Sequence, residues 1–327
     1  MDPLDPDLAR VIHAVSAWRG RAVRAEILGG GITNRNWRVE VGGSAFVVRL
    51  AGRDTALLGV DRDAERAATE AAHDAGTAPE IVAFLPEHEA LITRFVEADP
   101  IPAEDLERPE VMAAVVRSVK AIHSMAPIPS RFDVFDVVRR YRATAAERGI
   151  AIPPAYDEAL TAADRIAATF AARPRPLRPC HNDLLNANLL MAGDRVVIVD
   201  YEYAGMGDPF FDLGNFSINN GISERAQEGL LQRYFGDVRA MHRARLRLAM
   251  ILSDFREAMW GVVQQAISSL QFDYVAYAER HFSRCLANAG DERFGAWLRD
   301  AVADEDARAV DPSRHAEGTT AAPRGGG

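Results

Sequence analysis

The sequence predicts an α+β protein in two parts, a small antiparallel β-rich N-terminal lobe and a larger, mainly helical C-terminal lobe. Three observations predict it. Short apolar runs separated by turn residues fill roughly the first hundred positions. Beyond Glu97-Ala98-Asp99-Pro100 apolar residues recur at helical spacing over long stretches. One apolar hairpin, 189–199, interrupts that helical part.

In order, Ala25-Glu26-Ile27-Leu28 reads as a strand leading into Gly29-Gly30-Gly31-Ile32-Thr33-Asn34-Arg35-Asn36. Strands at 37–41 and 45–50 follow, joined by the tight turn Gly42-Gly43. Residues 61–75 have helix composition and stop at Gly76, where a C-terminal glycine is favoured. Strand candidates at 81–84 and 90–96 complete the first part, assigned to residues 1–97 and to nucleotide binding. The second part, 98–304, carries predicted helices at 109–124, 134–148, 155–172, 223–235 and 241–289. The last is too long for one element and is expected to break near 267–269. The tail, 305–327, is polar, rich in small residues and non-periodic, and is expected to be disordered. There are no internal repeats.

A formal net charge of −9 argues against a nucleic-acid partner, which requires a basic surface. No stretch approaches the roughly 20 apolar residues needed to span a bilayer. The acidic N-terminal residues lack the features of a signal peptide, and the distant pair Cys180 and Cys285 suits a reducing compartment, so a cytoplasmic protein is expected. Cys180 is read as a small buried residue. Oligomeric state is not legible.

The chemistry lies in His181-Asn182-Asp183-Leu184-Leu185-Asn186-Ala187-Asn188, followed twelve residues later by Asp200-Tyr201-Glu202. This H-x-D-x-x-x-x-N … D spacing runs through the hairpin, whose second strand would return Asp200 beside the loop. Phosphoryl transfer from ATP needs one carboxylate to receive the acceptor hydroxyl's proton and oxygen ligands for Mg²⁺. The segment resembles the catalytic centre of the protein-kinase-like small-molecule kinases, the superfamily of choline/ethanolamine kinases and aminoglycoside phosphotransferases. The resemblance covers most of residues 22–290 and implies a bilobal protein-kinase-like fold.

It implies Asp183 as catalytic base and acceptor contact, and Asn188 and Asp200 as Mg²⁺ ligands. Glu202 has two readings, a further Mg²⁺ oxygen or a salt bridge. His181 and Asp212 are read as structural support for the loop. On the nucleotide side the resemblance makes Gly30, Gly31, Thr33 and Asn34 a phosphate loop and Arg49 the cation holding ATP phosphates, with a surface strand charge as the plainer reading. Glu65, or else Glu70, is the helix glutamate that would hold Arg49. Thr93 to Val96 takes the place of the hinge that reads adenine. The glycine run is no Walker motif, having no G-K-[ST].

The stretch 252–277 resembles the C-terminal helices of choline/ethanolamine kinases, where Trp260 and Tyr277 match aromatics around the choline headgroup. A quaternary ammonium cannot donate hydrogen bonds, so ring faces and carboxylates hold it. The plainer reading is that both rings are core. A second tryptophan of the eukaryotic enzymes is here Glu257, and a pocket acid of theirs falls near Asn219. Glu257 or Asp254 would then supply the negative charge. The reading is an ATP- and Mg²⁺-dependent kinase of a small alcohol, choline first and ethanolamine second. An aminoglycoside or other metabolite kinase and a ligand-binding pseudokinase are the alternatives.

Overall fold

Asp5 caps the first helix, α1 (Pro6–Ala14): its carboxylate accepts the free N–H groups of Asp7 and Leu8, and proline at the first position costs no hydrogen bond. The computed structural model describes residues 4–29, 34–52, 54–268 and 270–303. Gly30, Gly31 and Thr33 of the expected phosphate loop, and the expected tail, therefore lie outside the described residues.

Five strands follow, β1 (Val23–Leu28), β2 (Arg35–Val41), β3 (Ser44–Leu50), β4 (Ile81–Leu85) and β5 (Ala90–Arg94), with α2 (Arg62–Asp74) between β3 and β4. They form one antiparallel sheet of order β1-β2-β3-β5-β4. Gly42 and Gly43 both have positive φ, 59° and 81°, the backbone that a two-residue hairpin requires and that favours glycine. Alternation puts Trp37, Val39 and Val41 inward, packed with Leu8 and Val11 of α1 and with Trp18. The register pairs Arg49 with Asn36 on one side and Leu91 on the other. Past β5 the chain crosses to the helical part, where the Ile101 N–H donates to the Leu189 carbonyl at 2.8 Å.

That part comprises α3 (Pro109–His123), α4 (Val134–Glu147), α5 (Ala155–Ala172), β6 (Arg178–Cys180), β7 (Leu189–Ala192), β8 (Arg195–Ile198), β9 (Gly205–Gly207), α6 (Pro209–Asn219), α7 (Glu224–Phe235), α8 (Ala240–Ile267), α9 (Tyr274–Ala289) and α10 (Phe294–Asp300). The predicted hairpin is β7–β8, in register Leu189↔Ile198. The predicted break in the last long helix falls between Ile267 and Tyr274. β6, β9, α6 and α10 have no counterpart among the elements read from the sequence. The two strands are three residues each, too short to display a period, and α6 is buried from Phe210 to Ile218 on every face, which erases an amphipathic stripe.

α8 is the axis of this part, and α4, α6 and α9 pack around it. α6 approaches most closely at Gly214, where an added Cβ would lie 2.7 Å from Ala249 Cβ and 2.8 Å from its carbonyl carbon. Glycine costs about 1 kcal/mol of helix propensity there. Overpacking a filled contact costs typically 1–3 kcal/mol and here meets backbone, so it dominates. Gly214→Val should therefore lower stability by roughly 2 kcal/mol or more, read as a reduced urea midpoint. A midpoint at or above wild type would show that the two helices can separate freely.

Candidate active site

The loop between β6 and β7 is held from below by α6. Asp212, fully buried, accepts the His181 N–H at 2.8 Å and the Asn182 N–H at 2.6 Å, and His123 Nε2–H donates to it at 2.9 Å. Burial alone would raise the Asp212 pKa, but His123 and these loop donors outweigh it and hold the carboxyl below its usual range. Asn215, one turn on, accepts the Leu184 N–H at 2.6 Å. Asn220 accepts from the Asn186 N–H at 2.8 Å and donates to the Leu184 carbonyl. A loop fixed at four consecutive backbone donors, counting Asp183 below, cannot wander.

The Asp183 N–H donates to His181 Nδ1 at 3.2 Å, while His181 Nε2–H donates to the Val199 carbonyl at 3.0 Å. This pattern needs neutral imidazole, and burial lowers the His181 pKa accordingly. Val199 N–H in turn donates to the Asn188 carbonyl at 3.0 Å, so the end of β8 is stitched to the loop and Asp200 arrives beside it. Asn182 and Asp200 both adopt positive φ, 66° and 68°, a conformation that Asn and Asp tolerate better than other side chains.

The expected residues converge. Asn188 Nδ2 donates to the Asp183 carbonyl at 3.0 Å and lies 3.4 Å from its Oδ2. Arg49 pairs with both Asp200 and the buried Glu65. Glu70 instead takes the surface partner Arg66. Glu202 is buried, and its Oε2 accepts from Asn34 at 2.9 Å and Arg62 at 3.2 Å, the ion pair of its second reading. Arg62 also reaches Glu65, Asn34 and Thr55. It was missed in the sequence, where one arginine at the start of a charged helix has no distinguishing mark.

Above Asp183 stands α8. Arg256 Nη1 is 3.3 Å from Asp183 Oδ1, its guanidinium lies over the Tyr203 ring at 4.4 Å, and it also pairs with Glu257. The Glu257 carboxylate accepts the Tyr277 hydroxyl at 2.8 Å and Asn219 Nδ2 at 3.3 Å. Trp260, one turn on, packs edge-on against Tyr277 at 5.5 Å and Tyr274 at 5.9 Å and donates Nε1–H to the Tyr203 hydroxyl. It is 4% exposed and forms part of the helical core. Asp254 does not face this group: Arg284 and His281 of α9 take both its oxygens. Of the two acids read as candidates, Glu257 therefore joins the group around Arg256 and Asp183, and Asp254 is committed to joining α8 to α9.

Arg256 was also missed. The signal was present, since Asp254-Phe255-Arg256-Glu257 places charges in a run otherwise apolar enough to be buried, and buried charges are paired. The Asp183 carboxyl is raised to about 7, first by burial, with Arg256 opposing and Glu257 and Asp200 adding to it. Arg256 stays protonated, and Glu257 is held below its usual range, burial notwithstanding, by Arg256, His281 and Tyr277. A cavity of about 540 Å³ opens between β3 and the end of α8, lined by Asn34, Leu50, Thr55, Gln264 and Ile267; Asp183, Arg256 and Glu257 are not part of its lining.

Residues 24–248 match the family described as the phosphotransferase enzyme family. The chain is 27% identical to Protein LicA of Haemophilus influenzae, over 67% of this chain and 65% of that protein, so it spans just under two thirds of that relative's length. It is 24% identical to ethanolamine kinase 1 of Mus musculus, over 86% and 88% of the two chains. A solved choline/ethanolamine kinase family protein from Mesorhizobium loti superposes with a TM-score of 0.78 at 29% identity, covering 90% of this chain and 98% of that one. Among the described residues no helix is long and apolar enough to cross a membrane. With this sheet, this helical part and a loop carrying one carboxylate and an amide beside a second carboxylate, the chain has the kinase-like fold and belongs to the phosphotransferase enzyme family.

Proposed function

We propose that the chain is an ATP- and Mg²⁺-dependent kinase that phosphorylates the hydroxyl of a small amino alcohol, choline first and ethanolamine second. One observation carries the acceptor class: Arg256, 3.3 Å from the Asp183 carboxylate, pairs with Glu257, which accepts the hydroxyl of Tyr277 beside Trp260. With Asp183 ionised, two carboxylates against one guanidinium leave one net negative charge, the complement of a monocation. Tyr277, only partly buried, is the ring of this group that the cation's alkyl groups could reach, with Trp260 packed behind it. The choline/ethanolamine kinase family likeness points the same way.

On the donor side, Asn188 uses its Nδ2 on Asp183, which turns its Oδ1 outward, and Asp200 adds carboxylate oxygens. Hard oxygen donors of this kind suit Mg²⁺, which would supply positive charge against the phosphates. Arg49, pinned by Glu65, supplies the fixed cation for the same phosphates, and its planar fork matches two phosphate oxygens. Asp183 accepts the acceptor's hydroxyl proton as that oxygen attacks in line. Two buried thiols and no paired cysteines fit a cytoplasmic setting.

Two variants test the acceptor. Trp260→Leu keeps an apolar side chain but removes the ring and should raise KM for choline roughly tenfold, from a cation–π loss of about 1–2 kcal/mol, with KM for ATP nearly unchanged. Glu257→Gln should harm ethanolamine more than choline, because a primary ammonium can donate hydrogen bonds to the carboxylate and a quaternary one cannot. Wild-type enzyme that turns over neither alcohol, yet phosphorylates a sugar or an aminoglycoside, would remove the amino-alcohol assignment.

A further inference from the structure

A second cavity, of about 410 Å³, opens where the end of α3, the segment entering β6, the start of α6 and the end of α7 meet. Its lining carries Lys120, Arg175 and Arg178 and no carboxylate. None of the three makes an ion pair with a described residue: Arg175 reaches only the Met241 sulfur and the Phe210 ring face, and Lys120 lies over the Tyr234 ring at 5.8 Å. Asp208, next to Pro209 of the lining, caps α6 and pairs with Arg245. Asp and Glu outnumber Lys and Arg 47 to 38 in this chain, so three uncompensated cations around one concavity run against the composition. Scattered surface arginines are ordinary. Two arginines and a lysine that share a cavity, none of them ion-paired with a described residue, ask for an anion.

The dimensions and chemistry select its class. A cavity of this size exceeds a bare monovalent ion and falls in the range of small-molecule sites, roughly 300–1,000 Å³. Two guanidinium forks and an ammonium match the several acceptor oxygens of a phosphate group. The aromatic floor of Phe210, Tyr234 and Phe235 leaves room for an organic portion.

The floor also connects to the catalytic loop. The Tyr234 hydroxyl donates to His123 Nδ1 at 2.7 Å, and His123 Nε2–H donates to the Asp212 carboxylate that holds the His181 and Asn182 amides. We propose that this cavity is a second ligand site, for a small phosphate-bearing anion, coupled to the catalytic loop through Tyr234, His123 and Asp212. It is independent of the acceptor assignment.

Lys120 is the chain's single lysine, so amine acylation followed by peptide mass reads this cavity, with the chain's α-amine as internal control. Inorganic pyrophosphate is the probe. At several times its Kd it should slow Lys120 acetylation roughly fivefold in the wild type, since only the empty fraction reacts, and leave the α-amine rate unchanged. Arg175→Ser/Arg178→Ser should lose that protection. Absence of protection up to ~10 mM, or protection equal in the double variant, overturns the site. For the coupling, pyrophosphate should change amide hydrogen exchange at residues 181–184 in the wild type. The change should vanish in Tyr234→Phe while Lys120 protection persists. Unaltered exchange in the wild type, or a change surviving Arg175→Ser/Arg178→Ser and so arising at the nucleotide side, overturns the coupling.

Discussion

Asp183→Asn should lower kcat by about 10²–10⁴-fold, the usual contribution of a positioned base, with no loss of folding. The asparagine keeps the shape and retains an oxygen for Arg256, which stands 3.3 Å from Asp183 Oδ1, but it cannot take the proton. Its effect on stability follows from sign. The native carboxyl is raised to about 7, above its unfolded value, chiefly by burial, so between those values the folded state binds the proton more tightly. Stability contributed by this group is then lost as pH rises toward 7, and at about pH 8 the neutral variant should unfold at or above the wild-type temperature. The same shift sets the rate profile. The base works only when ionised, so wild-type kcat/KM should fall as pH drops through about 7, and the variant's residual rate should lack that limb. Retention of more than about a tenth of wild-type kcat would take Asp183 out of the base role.

That Asp183 could be singled out from sequence, while its partner Arg256 could not, has a physical reason. Asp183, Asn188 and Asp200 sit within one hairpin and the loop before it, so chain-local geometry brings them together, and their spacing is visible as a string. Arg49 and Glu65 are likewise joined by a strand and the next helix. Arg256 reaches Asp183 across 73 residues, and Arg62 reaches Glu202 across 140. Such contacts depend on how helices pack. The helices that carry the supporting polar groups, α6 and α8, are buried on all sides, so neither periodicity nor polarity marks which face meets the loop. Asp212 was reachable through the family pattern, whereas Asn215, Asn220 and His123 do comparable work without any sequence mark. Asp254 and Glu257 show the limit most clearly. Three apart on one helix, they share a face, and only the register of α9, presenting Arg284 and His281 to one and Tyr277 to the other, decides which acid is left to join Arg256 beside Asp183.

Asp200→Ala should abolish Mg²⁺-dependent turnover, a loss of roughly 10²–10³-fold or more, since it removes a charged oxygen from the place where phosphate charge must be neutralised. The fold should survive, because Arg49 keeps its pair with the buried Glu65. Alanine at a φ of 68° carries a backbone cost of about 1–2 kcal/mol, so Asp200→Asn, which tolerates that conformation, separates strain from chemistry. Both variants should lose turnover, and only alanine should lose stability. Asn188→Ala is expected to be milder in rate and different in kind. It removes a neutral oxygen ligand and also the Nδ2 that steadies the Asp183 carbonyl. Its Mg²⁺ half-saturation should rise by about tenfold with some activity recovered at high Mg²⁺, because losing a neutral ligand weakens a site that losing the carboxylate destroys. The measurement is a Mg²⁺ titration of initial rate at fixed ATP for wild type and the three variants. Curves that coincide with wild type in Asp200→Asn and Asn188→Ala would place the metal on other oxygens.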